Sequence, residues 1–164
     1  MLILDASAGC ALSLGWPEGK KFEQLMYEGE RALAPQLYIA EIIHVFQKHV
    51  RGGKMAAGDM QDNLARALRL VDEFVPMEDL CPEVLSESVR LCHSSYDMFY
   101  LVLARRTGGT LLTMDRRLVK LALENGVNCA YGARLGGAEP WTIRADVEEG
   151  PGRAYARDEL LGRG

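Results

Sequence analysis

Short apolar runs and longer stretches with helical spacing alternate along the first 131 residues of this chain. The short runs predict five strands, at residues 1–4, 31–35, 74–77, 110–113 and 127–131. Apolar residues spaced three or four apart predict helices between them, most clearly at residues 36–50. Because strands and helices alternate, we expect a three-layer α/β domain with a mostly parallel central sheet between helices.

The pattern changes near residue 135. Glycine and proline interrupt a polar segment at residues 136, 137, 140 and 150–152, and few apolar residues remain there. We therefore interpret residues 1–134 as one domain. Residues 135–164 are interpreted as a C-terminal tail that is loosely docked or binds a partner.

Three acidic residues stand where predicted strands end or helices begin. Asp5 follows the first strand, Asp97 lies in the first turn of a helix capped by Ser94 or Ser95, and Asp115 follows the strand at 110–113. The carboxyl ends of parallel strands share one edge of a sheet, and ligands bind there in open α/β folds. We expect these three carboxylates to lie at that edge.

A fourth acid, Glu41, lies in the helix predicted at residues 36–50. Leu37 and Val45, four residues away on either side, give it an apolar face on which an unpaired carboxylate is costly. Taken alone, such a residue is more often paired or at the margin of the core than catalytic. The predicted topology brings the helix that carries Glu41 to the same edge of the sheet as the other three acids.

Four carboxylates that converge repel one another unless a cation neutralises them. Oxygen ligands without cysteine or histidine suit Mg²⁺ or Mn²⁺ better than Zn²⁺. Ser7 and Thr113, each two residues from an aspartate, are candidates to hydrogen-bond a ligand carboxylate or a metal-bound water. A turn or cap role explains these two hydroxyls equally well.

Carboxylates with Mg²⁺ serve phosphoryl chemistry, in which the metal activates a water and stabilises charge on the phosphate oxygens. A nuclease is the natural candidate. Two pairs of basic residues, Arg105 with Arg106 and Arg116 with Arg117, are close in sequence to the last two acids and are candidates for RNA phosphate contacts. Basic pairs near helix ends also occur as solvated faces or helix-dipole partners.

Net charge, apolar run length and cysteine spacing argue against several classes of protein. The formal net charge of −4 argues against a protein that binds nucleic acid over its whole surface. No apolar run reaches the ~20 residues of a membrane span, and the N-terminus lacks a basic leader, so we expect a cytoplasmic protein with no membrane partner. The four cysteines have no zinc-binding spacing and are interpreted as buried free thiols.

The segments LILDASA, APQLYIAEIIHVF, YDMFYLVLA and LLTMDRRL, which carry Asp5, Glu41, Asp97 and Asp115, resemble the four acidic motifs of the PIN domain family. The resemblance covers about residues 1–131 and is strongest to the VapC-type toxins of bacteria and archaea. It implies a PIN-like fold and a metal-dependent endoribonuclease that leaves a 5′-phosphate and a 3′-hydroxyl. It also implies a homodimer and a small antitoxin that blocks the acidic pocket.

By this resemblance the four acids are catalytic and are metal ligands, directly or through water, and Ser7 and Thr113 support them. The long tail, and Arg117 where some relatives have another acid, depart from the family pattern and leave antitoxin binding and metal number open. Alternatives are a housekeeping RNA-processing PIN nuclease and a non-catalytic PIN-like interaction module. A haloacid-dehalogenase-like phosphatase requires a second aspartate at position 7, and a response-regulator receiver requires an acidic pair and a late lysine, which the sequence lacks.

Overall fold

The computed structural model describes residues 1–27 and 29–132. Its sheet contains β1 (Leu2–Leu4), β2 (Ala32–Pro35), β3 (Glu73–Val75), β4 (Thr110–Thr113) and β5 (Cys129–Tyr131). The strands lie in the order β3-β2-β1-β4-β5, and every neighbouring pair is parallel. The expected tail at 135–164 lies outside the described residues.

Helices connect these strands as the spacing of apolar residues predicts. In the described part of the chain they are α1 (Ala6–Ser13), α2 (Lys20–Tyr27), α3 (Leu37–Arg51), α4 (Met60–Arg69), α5 (Cys81–Leu91), α6 (Ser95–Thr107) and α7 (Arg116–Glu124). Contacts link α1 with α3 and α4, and link α6 with α5 and α7. Right-handed crossovers then place α1 to α4 on one face and α5 to α7 on the other. The expected three-layer α/β/α fold is confirmed.

The core is centred on β1, β4 and α6. Every residue of β1 is buried, and Leu111 and Leu112 of β4 have no exposed surface. Helix α6 is buried without interruption from Met98 to Ala104, because it packs across β1, β2 and β4 beneath its neighbouring helices. This continuous apolar surface fixes α6 relative to the strand ends.

Several element boundaries differ slightly from the sequence predictions, and a proline explains one of them. The third strand ends at Val75 rather than residue 77, because Pro76 has no backbone N–H to donate to a neighbouring strand. A short 3₁₀ turn, Met77–Asp79, follows it. No helix among residues 1–27 and 29–132 is long and apolar enough to cross a membrane.

The interpretation of the cysteines as buried thiols is correct for one of the four. Cys10 is buried and Cys129 is partly buried, but Cys81 and Cys92 are exposed at the two ends of α5. Cys92 adopts a left-handed conformation (φ 49°) that ends this helix. The sequence places both residues beside apolar neighbours, whereas the packing of α5 turns them to solvent.

Candidate active site

The site lies where the chain changes direction within the sheet. Strands β1 and β4 are hydrogen-bonded neighbours, but the chain proceeds from β1 towards β2 on one side and from β4 towards β5 on the other. A crevice forms outside the carboxyl ends of two such strands, and it is the usual ligand site of open α/β sheets. Asp5 directly follows β1, and Asp115 follows β4 after one intervening residue.

Asp5 is buried and caps α1. Its Oδ1 accepts a hydrogen bond from the backbone N–H of Ser7 (2.7 Å) and its Oδ2 one from the Ser7 hydroxyl (2.9 Å). The Thr113 hydroxyl also donates to Oδ2. Burial raises the pKa of Asp5 from 3.8 to about 6, although these hydrogen bonds oppose the rise and the charge of Asp97 adds to it.

The two hydroxyls singled out in the sequence connect the ends of β1 and β4. Ser7 Oγ accepts from the backbone N–H of Met114 (2.8 Å), and Thr113 Oγ1 accepts from that of Asp115 (3.0 Å). Each hydroxyl thus donates to Asp5 and accepts from the loop after β4, so the Asp5 carboxylate is fixed from both strands. Asp115 in turn caps α7, with Oδ1 accepting from the backbone N–H of Arg117 (2.7 Å).

Glu41 lies in the second turn of α3. Burial and, to a smaller extent, the charges of Asp5 and Asp97 raise its pKa from 4.5 to about 8. A hydrogen bond from the Tyr100 hydroxyl to Oε2 (2.5 Å) acts in the opposite direction. Burial is thus the main cause of the raised pKa, and the neighbouring carboxylates contribute to it.

Asp97 occupies the first turn of α6, as predicted, and Ser94 is the cap residue. Its Oδ2 lies 2.7 Å from Nε2 of His93, which lies in the connection before α6. Burial and then the charge of Asp115 raise the pKa of Asp97, whereas His93 and Arg117 lower it. Asp97 is therefore electrostatically coupled to acids on both sides of the crevice.

The charges of the four predicted acids influence one another's surroundings, but their side chains do not meet at one point. The charge of Asp97 raises the pKa of Asp5, the charges of Asp5 and Asp97 raise that of Glu41, and the charge of Asp115 raises that of Asp97. Within residues 1–27 and 29–132, no three side chains of His, Cys, Asp or Glu are grouped closely enough to hold a metal ion. Each of the four carboxylates has its own polar partner in the structure.

The donor set nevertheless fits a hard divalent cation. The site offers carboxylate and hydroxyl oxygens, and the pKa values of Asp5 and Glu41 are raised by burial and by the charge of neighbouring acids. A cation bound among these groups stabilises their ionised forms and removes the mutual repulsion. The group that fits is Mg²⁺ or a similar oxygen-preferring ion.

The two predicted pairs of arginines have different surroundings. Arg105 and Arg106 form ion pairs with Glu83 of α5, and Arg105 also pairs with Glu87 (2.9 Å). They lie eight and nine residues beyond the first-turn aspartate of α6, about 12 Å along the helix axis. These two residues brace α5 against α6.

The second pair lies beside the crevice. Arg117 is exposed and close enough to Asp97 to lower its pKa. Arg116 donates from Nε to the Tyr131 hydroxyl (2.7 Å), and its guanidinium lies 6.0 Å from the centre of that ring. Of the four arginines, Arg117 is the one whose position best suits a phosphate contact near the acids.

Two polar partners of the acids were not recognised in the sequence. His93 precedes Asp97 by four residues but lies in the connection between α5 and α6, so helical spacing did not indicate this pair. Tyr100 follows the apolar pattern of α6 and looks like a core residue. Its contact with Glu41 spans 59 positions and arises only from the packing of α3 and α6.

The sheet order and the acidic crevice define the class of protein. Residues 2–124 match the model of the PIN domain, and the chain belongs to the PIN domain family. This confirms the family and the fold expected from the acidic motifs.

Similarity to individual proteins is more distant. The chain is 26% identical over 125 residues to Ribonuclease VapC3 of Pyrobaculum aerophilum, covering 73% of this chain and 92% of that protein. It is also similar to the crystal structure of PAE2754 from Pyrobaculum aerophilum, with 26% identity and a TM-score of 0.55. That match covers 73% of this chain and 84% of the solved one.

Proposed function

We propose that this protein is an endoribonuclease that requires Mg²⁺ or Mn²⁺ and acts as the toxin of a type II toxin–antitoxin pair. The family match and the similarity to Ribonuclease VapC3 support a PIN-family nuclease. The observation that carries the metal requirement is the group of buried and half-buried carboxylates whose pKa values are raised by burial and, in addition, by the charge of a neighbouring acid. Such a cluster is costly to the fold unless it binds a cation.

In this proposal Asp5, Glu41, Asp97 and Asp115 hold the metal, directly or through water. The bound ion supplies an activated water and stabilises charge on the phosphate and the leaving oxygen. Ser7 and Thr113 keep Asp5 oriented through the hydrogen bonds that tie it to both strand ends.

The substrate enters over the exposed edge of the crevice. Arg117 is suited to contact the RNA backbone there, because it is exposed and lies beside Asp97. The arginines at the other end of α6 already hold carboxylates of α5. We therefore assign RNA contact to Arg117 ahead of Arg105 and Arg106.

The primary test is cleavage of a panel of RNA oligonucleotides with Mn²⁺ or Mg²⁺, with and without EDTA. We expect cleavage that EDTA stops, and products with 5′-phosphate ends. Asp97→Asn should reduce cleavage to background, whereas Glu124→Gln, a surface change at the far end of α7, should leave it intact. Equal cleavage by the Asp97→Asn protein, or cleavage that persists in EDTA, contradicts the proposal.

The toxin role has a separate test. Expression should arrest growth, and co-expression of a small protein encoded beside this one should relieve the arrest and co-purify with it. Cleavage without growth arrest favours a housekeeping RNA-processing nuclease. Metal binding without cleavage of any RNA favours a PIN-like interaction module. Sedimentation of the purified chain tests the homodimer that the resemblance implies.

A further inference from the structure

A tyrosine and a glutamate from the two outer layers of the fold meet beyond the strand ends. Tyr100 of α6 is only 2% exposed, and its hydroxyl donates to Glu41 Oε2 of α3. Among residues 1–27 and 29–132, this is the single hydrogen bond made to the Glu41 carboxylate, and no basic side chain pairs with it. The orientation of Glu41 therefore depends on one donor.

Packing alone does not require a hydroxyl at position 100. A phenylalanine fills the same space, whereas a buried phenol must find an acceptor or pay the cost of desolvation. The acceptor here is an acid, and Asp97 lies three residues earlier on the same face of α6. Tyr100 thus links Glu41 to the helix that carries Asp97.

The other three acids have their own supports. Asp5 is held by Ser7 and Thr113, and the remaining two are held by a histidine and by a backbone N–H. Removing the Tyr100 hydroxyl therefore releases one carboxylate and leaves three in place.

We propose that Tyr100 is a positioning residue of the active site, which holds the Glu41 carboxylate in the orientation required to bind the metal. This inference rests on the proposed metal-dependent nuclease function. Tyr100 does not touch the substrate in this account, and it acts only through Glu41. The Glu41 side chain has several rotatable bonds, and the hydrogen bond from the Tyr100 hydroxyl restricts the rotation of its carboxylate before the metal binds.

The test compares Tyr100→Phe with Tyr38→Phe. Tyr38 is also fully buried, and its hydroxyl donates to a backbone carbonyl, that of Ala67, at 3.0 Å. Both changes remove one buried hydroxyl and one hydrogen bond, so thermal melting should show similar losses of stability. Only the first change deprives an active-site carboxylate of its donor.

Mn²⁺ binding is measured by calorimetry without RNA, and kcat and KM are measured with a cleaved oligonucleotide. We expect Tyr100→Phe to weaken Mn²⁺ binding about 10-fold or more and to lower kcat with little change in the KM for RNA. Excess Mn²⁺ should restore much of its activity, because Glu41 is still present. Glu41→Gln should not be restored, and Tyr38→Phe should match the wild type within about twofold.

The outcomes separate the two proposals. If the wild type binds Mn²⁺ and cleaves RNA, but Tyr100→Phe behaves like Tyr38→Phe, the positioning role is refuted and the nuclease function stands. If Tyr100→Phe loses activity with unchanged Mn²⁺ affinity, the positioning role is also refuted. If the wild type neither binds Mn²⁺ nor cleaves RNA, the nuclease function itself fails.

Discussion

Replacing Glu41 with glutamine should stabilise the metal-free protein while removing its response to metal. The folded-state pKa of Glu41 is about 8 against an ordinary 4.5. An acid with a raised pKa contributes stability that is present below its unfolded pKa and lost as pH rises through the folded value. The wild-type free energy of unfolding should therefore fall between about pH 4.5 and pH 8.

The magnitude follows from the same values. At about 1.4 kcal/mol per pKa unit, the rise in the Glu41 pKa from 4.5 to about 8 lowers the free energy of unfolding by about 5 kcal/mol once the pH is above 8. Asp5, raised from 3.8 to about 6, adds about 3 kcal/mol in a lower pH window. The rise at Glu41 already includes the charge of Asp5, so the two effects are not independent and do not simply add. Glutamine keeps the acceptor for Tyr100 and removes the charge.

The assay is urea denaturation at pH 5, 7 and 9, in EDTA and in Mn²⁺. In EDTA we expect wild-type stability to fall with pH, and Glu41→Gln to exceed the wild type at pH 9 by a few kcal/mol. The stabilisation of the wild type by Mn²⁺ relative to EDTA should increase as pH rises, because the metal ligands must lose their protons to bind. Mn²⁺ should stabilise Glu41→Gln only slightly at any pH.

The matched control is Glu124→Gln, which removes a charge from an exposed side chain in a loose pair with Lys120. It should change stability little at any pH. Wild-type stability that stays constant or increases from pH 5 to pH 9 in EDTA refutes the reasoning. So does a Glu41→Gln protein with the full wild-type response to pH.

Three further predictions concern the scaffold and the surface. Gly9→Ala should lower the free energy of unfolding by about 1–3 kcal/mol, because the added Cβ would lie 2.7 Å from ring carbons of Tyr38. The control Gly58→Ala, whose added Cβ would have no heavy atom within 4 Å, should leave stability unchanged in the same thermal denaturation experiment. Arg117→Gln should raise the KM for RNA, whereas Arg105→Gln should lower stability by about 1 kcal/mol, less in 1 M NaCl, and leave that KM unchanged. A chain ending at residue 134 should keep the wild-type melting temperature, because residues 2–127 of the described part of the chain already form a continuous buried core. A large loss of stability would contradict the division into domain and tail.

Periodicity and strand ends made much of the fold accessible from the sequence. The strand Thr110–Thr113 has the predicted bounds, Asp97 lies in the first turn of α6 and Asp115 caps α7, as expected. These features depend on local chemistry: apolar spacing sets the element type, and a carboxylate accepts backbone N–H groups at a helix start. The edge at which the acids gather follows because parallel strands align their carboxyl ends.

Contacts between elements were not accessible in this way. An arginine pair near the acids looked like a phosphate site, but the packing of α5 on α6 places Arg105 beside Glu83 and Glu87. Cys81 and Cys92 have apolar neighbours in sequence and still face solvent. The face of a helix that is buried depends on its partner helix, and sequence spacing alone does not identify that partner.

The sequence by itself determined the alternation of strands and helices, the family motifs and the positions of the four acids along the chain. Only the tertiary structure decided what holds each acid: two hydroxyls for Asp5, His93 for Asp97 and Tyr100 for Glu41. Element type follows from interactions a few residues apart. Side-chain orientation in the crevice depends on groups up to 108 positions apart, which come together only when the layers pack around the sheet.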